Sequence, residues 1–370
     1  MRTVACRYLP RQVAASCLCR PRSHASNGSA VLHDPVTTSH HTCVELCSGA
    51  GGQALGLEQA GFRHQALVEL DLDACRTLRR NRPHWNVVQA DIRSAECARA
   101  ATSARPCLMA AGAPCPPFSV AGRQLGLLDE RDLIPAVLAL VPTVRPRAIL
   151  LENVRGLLQK KFSAYRADIL RTLSGFGYTA EWRLLYARDF GVPQLRPRAV
   201  LVAMEAQAFA HFRWPVALTP ATDSSCVGDV LRESMASRGW RLADTWAAQA
   251  QRIAPTLCGG SRKHGGPDLG PSRARQAWAE LGVNGSSVAD EPPSPHDQLP
   301  VKLTASQLAL LQGFPPSWTF TGTKTSVCRQ VGNAFPPPVA RAVGRAIAVA
   351  LDQADAPLRG AGIPHCRLPD

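Results

Sequence analysis

The chain of 370 residues has no Cys-x-x-Cys pair among its thirteen cysteines and no His-x-x-x-His among its ten histidines. An odd, scattered set of thiols offers no disulfide framework, and without paired ligand spacing no metal site is expected. Most of these thiols read as small core residues in a reducing compartment. Long apolar runs are missing too. A membrane helix needs roughly 20 such residues, and the best run, Ile134–Val144, carries Pro135 and Pro142; a membrane protein is not expected. Lysine is scarce, with five among 42 basic residues. That arginine excess fits a GC-rich coding sequence as readily as phosphate binding.

What is present is a globular composition, 45% apolar and 19% charged, long enough for one large domain and a smaller one. The formal charge of +14 is unevenly placed. Residues 42–144 balance, whereas 145–198 hold eleven basic against four acidic residues, and 301–345 hold five basic residues and no acid. Residues 1–41 carry five arginines against one aspartate and no sustained period, which reads as a disordered basic tail. Clustered charge of this kind is the footprint of a polyanion-binding face.

From Thr42 the pattern alternates. Strands are predicted at Thr42–Cys47, Ala66–Glu69, Asn86–Val88, Cys107–Ala111, Ala148–Leu151, Glu181–Ala187 and Ala199–Met204. Helices are predicted at about 53–60, Leu72–Asn81 and Asp132–Val144. Such alternation predicts an α/β fold with a doubly wound, Rossmann-like parallel sheet over 42–204. Glycine, proline and serine rise over 205–300, which reads as a second, loop-rich domain. Residues 301–352 return to the first domain through helices Leu303–Gln312 and Pro336–Leu351, and 353–370 read as a flexible tail.

Four places carry chemistry. Glu45-Leu-Cys-Ser-Gly-Ala-Gly-Gly52 follows a strand and precedes a helix, so Gly49, Gly51 and Gly52 let the backbone approach a ligand. Glu69 and Asp91 end the next two strands, placed for ribose hydroxyls and an adenine amino group. The turn fits a dinucleotide or S-adenosylmethionine, although Gly-x-Gly-Gly spacing disfavours the former. Pro114-Cys115-Pro116 lies in the loop after the fourth strand, where a thiol is a candidate nucleophile. Glu152-Asn153-Val154 follows an apolar run, as a functional acid or a strand end does. Gln194-Leu-Arg196-Pro-Arg198 projects two guanidinium groups the same way if extended.

In order, these blocks, with Leu311-Gln-Gly-Phe-Pro315 and Gln330-Val-Gly-Asn333, resemble the bacterial DNA (cytosine-5) methyltransferase family over nearly all of Thr42–Leu351. The resemblance implies methyl transfer from S-adenosylmethionine to C5 of a flipped cytosine in double-stranded DNA. Cys115 is then the nucleophile, Glu152 the acid, and Arg196 and Arg198 orient the base. Glu45, Cys47, Ser48, Gly49, Gly51, Gly52, Glu69, Leu70, Asp91, Ile92, Pro114, Leu133, Asn333 and Ala334 are the implied cofactor contacts. The variable 205–300 becomes a target recognition domain, with Arg262 and Lys263 in a glycine-framed loop, and Gln124, expected on DNA; Trp240–Trp246 is the alternative reader. A cytoplasmic, nucleoid-associated monomer is implied, acting in restriction-modification beside a separate endonuclease or as an orphan methylase. The chain departs from the family where Cys47 stands for phenylalanine, Leu70 for an aromatic residue, and Glu45 for aspartate. A tRNA methyltransferase of similar fold, a catalytically dead DNA-binding homologue and a nucleotide-dependent oxidoreductase are the competing readings.

Overall fold

The computed structural model describes residues 41–114, 132–217, 225–259 and 266–360, so Cys115, Gln124, Arg262, Lys263 and the N-terminal arm lie outside the described residues. In chain order the first half comprises β1 (Thr42–Leu46), α1 (Gly52–Gln59), β2 (Arg63–Glu69), α2 (Leu72–Asn81), β3 (Val87–Gln89), α3 (Ala95–Ser103), β4 (Leu108–Gly112), α4 (Ile134–Val144) and β5 (Ala148–Val154). Then follow α5 (Ser163–Gly175), β6 (Tyr178–Tyr186), β7 (Pro197–Glu205) and α6 (Ala206–Phe209). Helices α7 (Val227–Ala236), α8 (Ala243–Gln249) and α9 (Ser272–Ala279) occupy the loop-rich stretch, and α10 (Ala305–Leu311), α11 (Lys324–Asn333) and α12 (Pro337–Gly360) close the chain.

Local chemistry sets these boundaries. The Asp71 carboxylate caps α2 by accepting from the Asp73 and Ala74 amides, and Pro83 disfavours helical backbone at Arg82, where α2 stops. Thr304 and Gln307 form a capping box at the start of α10. β1 is buried throughout, as are Leu108–Ala111 of β4 and Ala148–Asn153 of β5. Both faces of those strands are covered, so their sequences read as unbroken apolar runs.

The sheet has seven strands in the order β3-β2-β1-β4-β5-β7-β6. β7 runs antiparallel to both neighbours, so the expectation of a wholly parallel sheet is corrected to a mixed one. The cause is the connection 187–196, a short 3₁₀ turn and loop with no crossover helix, which returns the chain beside β6 in the opposite sense. β5 also runs past its apolar stretch, because Glu152, Asn153 and Val154 pair with Val200, Ala199 and Arg198. This register carries Arg198 alongside Glu152.

On one face of the sheet, Val44, Leu46, Met109 and Ile149 pack with α3, α4 and α5. On the other, Cys43, Leu108, Ala110 and Leu150 pack with Leu57 of α1 and with Val339, Val343 and Ile347 of α12. Ala208 and Phe212 join that second core, so residues just past 205 belong physically to the sheet. A third core is built from Leu231, Trp240, Trp246 and Trp278 and continues into Leu55, Leu78, Trp85 and Trp318. Helix α12 runs to Gly360, not to Leu351, so 353–360 are helical where a tail was expected. Arg147 clamps Asp355 there, at 2.7 and 2.9 Å. No helix among the described residues is long and apolar enough to cross a membrane.

Candidate active site

The loops after β1, β2 and β3 lie at the strand ends, the usual ligand side of an open α/β sheet. The loop after β1 turns through left-handed backbone at Cys47 (φ 55°), Gly49 (φ 54°) and Gly51 (φ 88°). The Ser48 amide donates to the Val68 carbonyl at 3.1 Å, and its hydroxyl to the Glu45 carbonyl at 3.1 Å, which fastens the turn to β1 and β2. Glu69 completes the cradle, accepting from the Gly49 and Asp71 amides, each at 2.7 Å. Burial raises the Glu69 pKa, and those two N–H groups oppose the rise.

The three glycines do different work. A Cβ on Gly49 would meet nothing within 4 Å, so open space lies over it. On Gly51 a Cβ would lie 2.7 Å from Leu78 and 2.9 Å from Trp318, and on Gly52 it would lie 2.3 Å from the Phe335 carbonyl. Those two positions need glycine for packing. Leu70, 62% exposed, is an apolar surface at the rim beside Glu69. Asp91 is held by Arg93, whose Nε donates at 3.0 Å and Nη2 at 2.8 Å, and whose backbone amide adds a third bond at 2.8 Å. These bonds lower the Asp91 pKa to about 2. Arg93 was not anticipated from sequence; the Asp-x-Arg spacing was the available signal. Ile92 is buried beneath. Pro114 and Leu133 flank the stretch that lies outside the described residues. Open space over Gly49, a carboxylate with lone pairs left over and an apolar rim fit a nucleoside-bearing cofactor.

Glu45 does not share that position. It is 1% exposed, and its Oε2 lies 3.6 Å from His64 Nε2 beneath the loop. Burial raises the Glu45 pKa well above its ordinary value and lowers that of His64 to about 4.

Across the sheet, Glu152 is buried with Arg198, whose Nε lies 2.7 Å from Glu152 Oε1. The N–H does not point at that oxygen, so the contact is an ion pair rather than a well-aligned hydrogen bond. Desolvation raises the Glu152 pKa while Arg198, then Arg196, pull it down. Gly112, the last residue of β4, pairs with Glu152, and the Asn153 side-chain Nδ2 donates to the Ala113 carbonyl at 3.3 Å. The loop that carries Pro114-Cys115 therefore leaves the sheet next to Glu152.

Arg196 goes elsewhere than expected. Its guanidinium is fully buried and donates to the Leu257, Gly332 and Ala334 carbonyls, on either side of Asn333, rather than facing the Glu152 pocket. Pro197 begins β7, so Arg196 sits before the strand and only Arg198 follows its register. In the alternative reader, Trp240–Trp246, the two indoles are core, buried and donating to the Asp297 and Leu281 carbonyls at 2.8 Å each, while Arg241, Asp244 and Thr245 are exposed. Arg273 and Arg275 of α9 are exposed, while Arg252 pairs with Glu280 at 3.1 Å. No cluster of three His, Cys, Asp or Glu side chains suited to a metal ion occurs among the described residues.

The sheet and the glycine turn give the chain an α/β, Rossmann-like methyltransferase fold. Solved structures agree on the fold. The Entamoeba histolytica methyltransferase EhMeth gives a TM-score of 0.57 at 15% identity over 86% of this chain and 98% of that one. The S. pombe Dnmt2 methyltransferase gives 0.54 at 17% identity over 86% and 99%. The family model for C-5 cytosine-specific DNA methylases matches residues 41–349, and the chain belongs to that family. It is 52% identical to the Type II methyltransferase M.NaeI of Lentzea aerocolonigenes over 84% of this chain and 75% of that protein. It is 45% identical to M.NgoMIV of Neisseria gonorrhoeae over 84% and 98%.

Proposed function

We propose that this cytosine-5 methyltransferase acts on a flipped cytosine in a specific double-stranded DNA sequence, through a covalent bond between Cys115 and C6. The observation that carries the reading is the buried Glu152–Arg198 pair, in register with the strand end from which the Pro114-Cys115 loop departs. Cytosine C5 is a weak nucleophile, and the residue types answer that problem. The Cys115 thiolate forms the S–C6 bond while Glu152 gives its proton to N3, turning the ring into an enamine. Arg198 stabilises the carboxylate left behind and sits within reach of the base edge. Glu69, Gly49 and the Leu70 rim would hold S-adenosylmethionine, which supplies an electrophilic methyl group when bound. C5 gains the methyl and loses its proton to solvent, the S–C6 bond breaks, and N3 returns its proton to Glu152. The target atoms lie inside a duplex, so extrusion of the base costs a few kcal/mol, offset by contacts from the basic segments.

Similarity to Type II methyltransferases supports a role in marking a site against a separately acting endonuclease. We read the protein as a monomer that works on DNA in the cytoplasm, with Arg262 and Lys263 at base edges or phosphates. Bisulfite mapping of DNA from cells expressing the chain should show one methylated sequence, absent with Cys115→Ser. A 5-fluorocytosine duplex carrying that site should form a covalent adduct with wild type and none with the variant. Unmodified DNA beside methylated tRNA would sink the DNA reading.

A further inference from the structure

Arg196 and Gln194 anchor a buried junction that the methyl-transfer steps do not use. The Arg196 guanidinium donates to the Leu257 carbonyl at 2.8 Å, to Gly332 at 2.6 Å and to Ala334 at 2.9 Å. Gln194 locks the same place: its Oε1 accepts from the Leu257 amide at 2.9 Å, and its Nε2 donates to Gln312 Oε1 at 2.7 Å. Gln312 in turn donates to the Ala334 carbonyl at 2.6 Å. Backbone bonds of 2.9 Å join Leu195 to Ala254 and Ala254 to Pro193.

Two residues past Leu257 the backbones meet directly. A Cβ on Gly259 would lie 2.3 Å from Asn333 Oδ1 and 2.6 Å from the Arg329 carbonyl. On Gly332 it would lie 2.3 Å from the Gly259 nitrogen. Segment 254–259 is the root of the glycine-rich basic loop, segment 332–334 contains Asn333, and β7, which starts at Pro197, carries Arg198. One planar guanidinium therefore holds three pieces of chain. Leu257 cannot shift without disturbing bonds shared with 332–334, and each buried carbonyl left unbonded is costly.

We propose that Arg196 is a positioning residue that couples duplex binding, through segment 254–259, to cofactor binding at the 332–334 segment. The inference rests on the methyltransferase reading above. Coupling of this kind is reciprocal: whatever arrangement the duplex selects at 257–259 is imposed on Asn333, and the cofactor acts back in the same way.

The test is calorimetric titration of the full chain with S-adenosylhomocysteine, with and without a duplex bearing the mapped site. In wild type the duplex should tighten S-adenosylhomocysteine by about 5-fold or more, the lower end of ordinary coupling. Arg196→Lys keeps the charge but offers a point donor that cannot span three carbonyls, and it should bring that ratio towards one while each ligand still binds alone. Gln312→Met removes the bond to the Ala334 carbonyl without altering the guanidinium and should also lower the ratio, so the test stands even if Arg196→Lys fails to fold. A merely structural role would lower the melting temperature and leave the ratio intact. A wild-type ratio near one, or an unchanged ratio in the variants that fold, overturns the coupling. Failure of wild type to bind S-adenosylhomocysteine or duplex at all would instead overturn the methyltransferase reading.

Discussion

Glu45 in β1 and Glu152 in β5 are carboxylates buried in one sheet, and burial pushes both pKa values up. Their neighbours differ. Glu152 has a guanidinium 2.7 Å away, whereas Glu45 has an imidazole at 3.6 Å that burial holds neutral. A carboxyl pulled up by desolvation and down by a fixed cation can release a proton and take it back. One without a cation at the same depth keeps its proton. Burial alone thus makes a packed polar group, and burial beside a countercharge makes a candidate acid. The surroundings agree: Glu152 borders the strand end that leads to Cys115, while Glu45 lies under the glycine loop.

The sharpest break of this comparison is Glu152→Gln. The amide keeps the shape and cannot give a proton to N3, so single-turnover methyl transfer should fall by about 100-fold or more. S-adenosylhomocysteine affinity should stay where it is. Lost cofactor binding with intact chemistry would move Glu152 to the cofactor site. Next comes Arg198→Met, which removes the countercharge alone. Turnover should drop roughly ten-fold, as for loss of one charged contact. The sign of the pH effect is fixed: Arg198 lowers the Glu152 pKa, so its removal raises it. Activity that needs the protonated acid then survives to higher pH, and the alkaline limb of kcat/KM should move up. A limb that stays put or moves down would show that Glu152 is not the group titrating there.

The central strands of 42–204 were legible because they are buried on both faces, and α2 because it runs from the Asp71 cap to Pro83, whereas α3 and α5 were not predicted. The direction of β7 was not legible, since the apolar run Ala199–Met204 reads alike in either sense and only the connection before it decides. Spacing suggested one role for Arg196 and Arg198, but Pro197 starts a strand between them and sends one to backbone carbonyls and the other to Glu152. Glycines at 49, 51 and 52 looked equivalent. Only the positions of Trp318 and Phe335, far off in the chain, reveal that two of them serve packing. The same holds for Trp240 and Trp246, whose burial depends on partners at Leu281 and Asp297 that no local pattern announces.

The smallest effect on catalysis belongs to the Glu45–His64 pair, where the comparison is sharpened through stability. The folded pKa of His64, about 4, lies below its ordinary 6.5. Between those values the unfolded chain takes up a proton that the folded chain refuses, so stability is lost as pH falls, by about 3 kcal/mol in full. Glu45 has the opposite sign. Its folded pKa is raised, so the folded chain keeps a proton that the unfolded chain releases, and stability is lost as pH rises above 4.5. His64→Phe should flatten the acid-side loss only. Glu45→Gln should remove the alkaline-side loss only, leaving that variant more stable than wild type near pH 8 and no different near pH 4. Chemical denaturation of the two variants and wild type across that range reads both slopes as differences, which cancels every other titrating group. Methyl transfer and S-adenosylhomocysteine affinity should be nearly unchanged in Glu45→Gln. A several-fold loss of that affinity, without the stability gain, would return Glu45 to the cofactor contacts and erase the distinction between the two carboxylates.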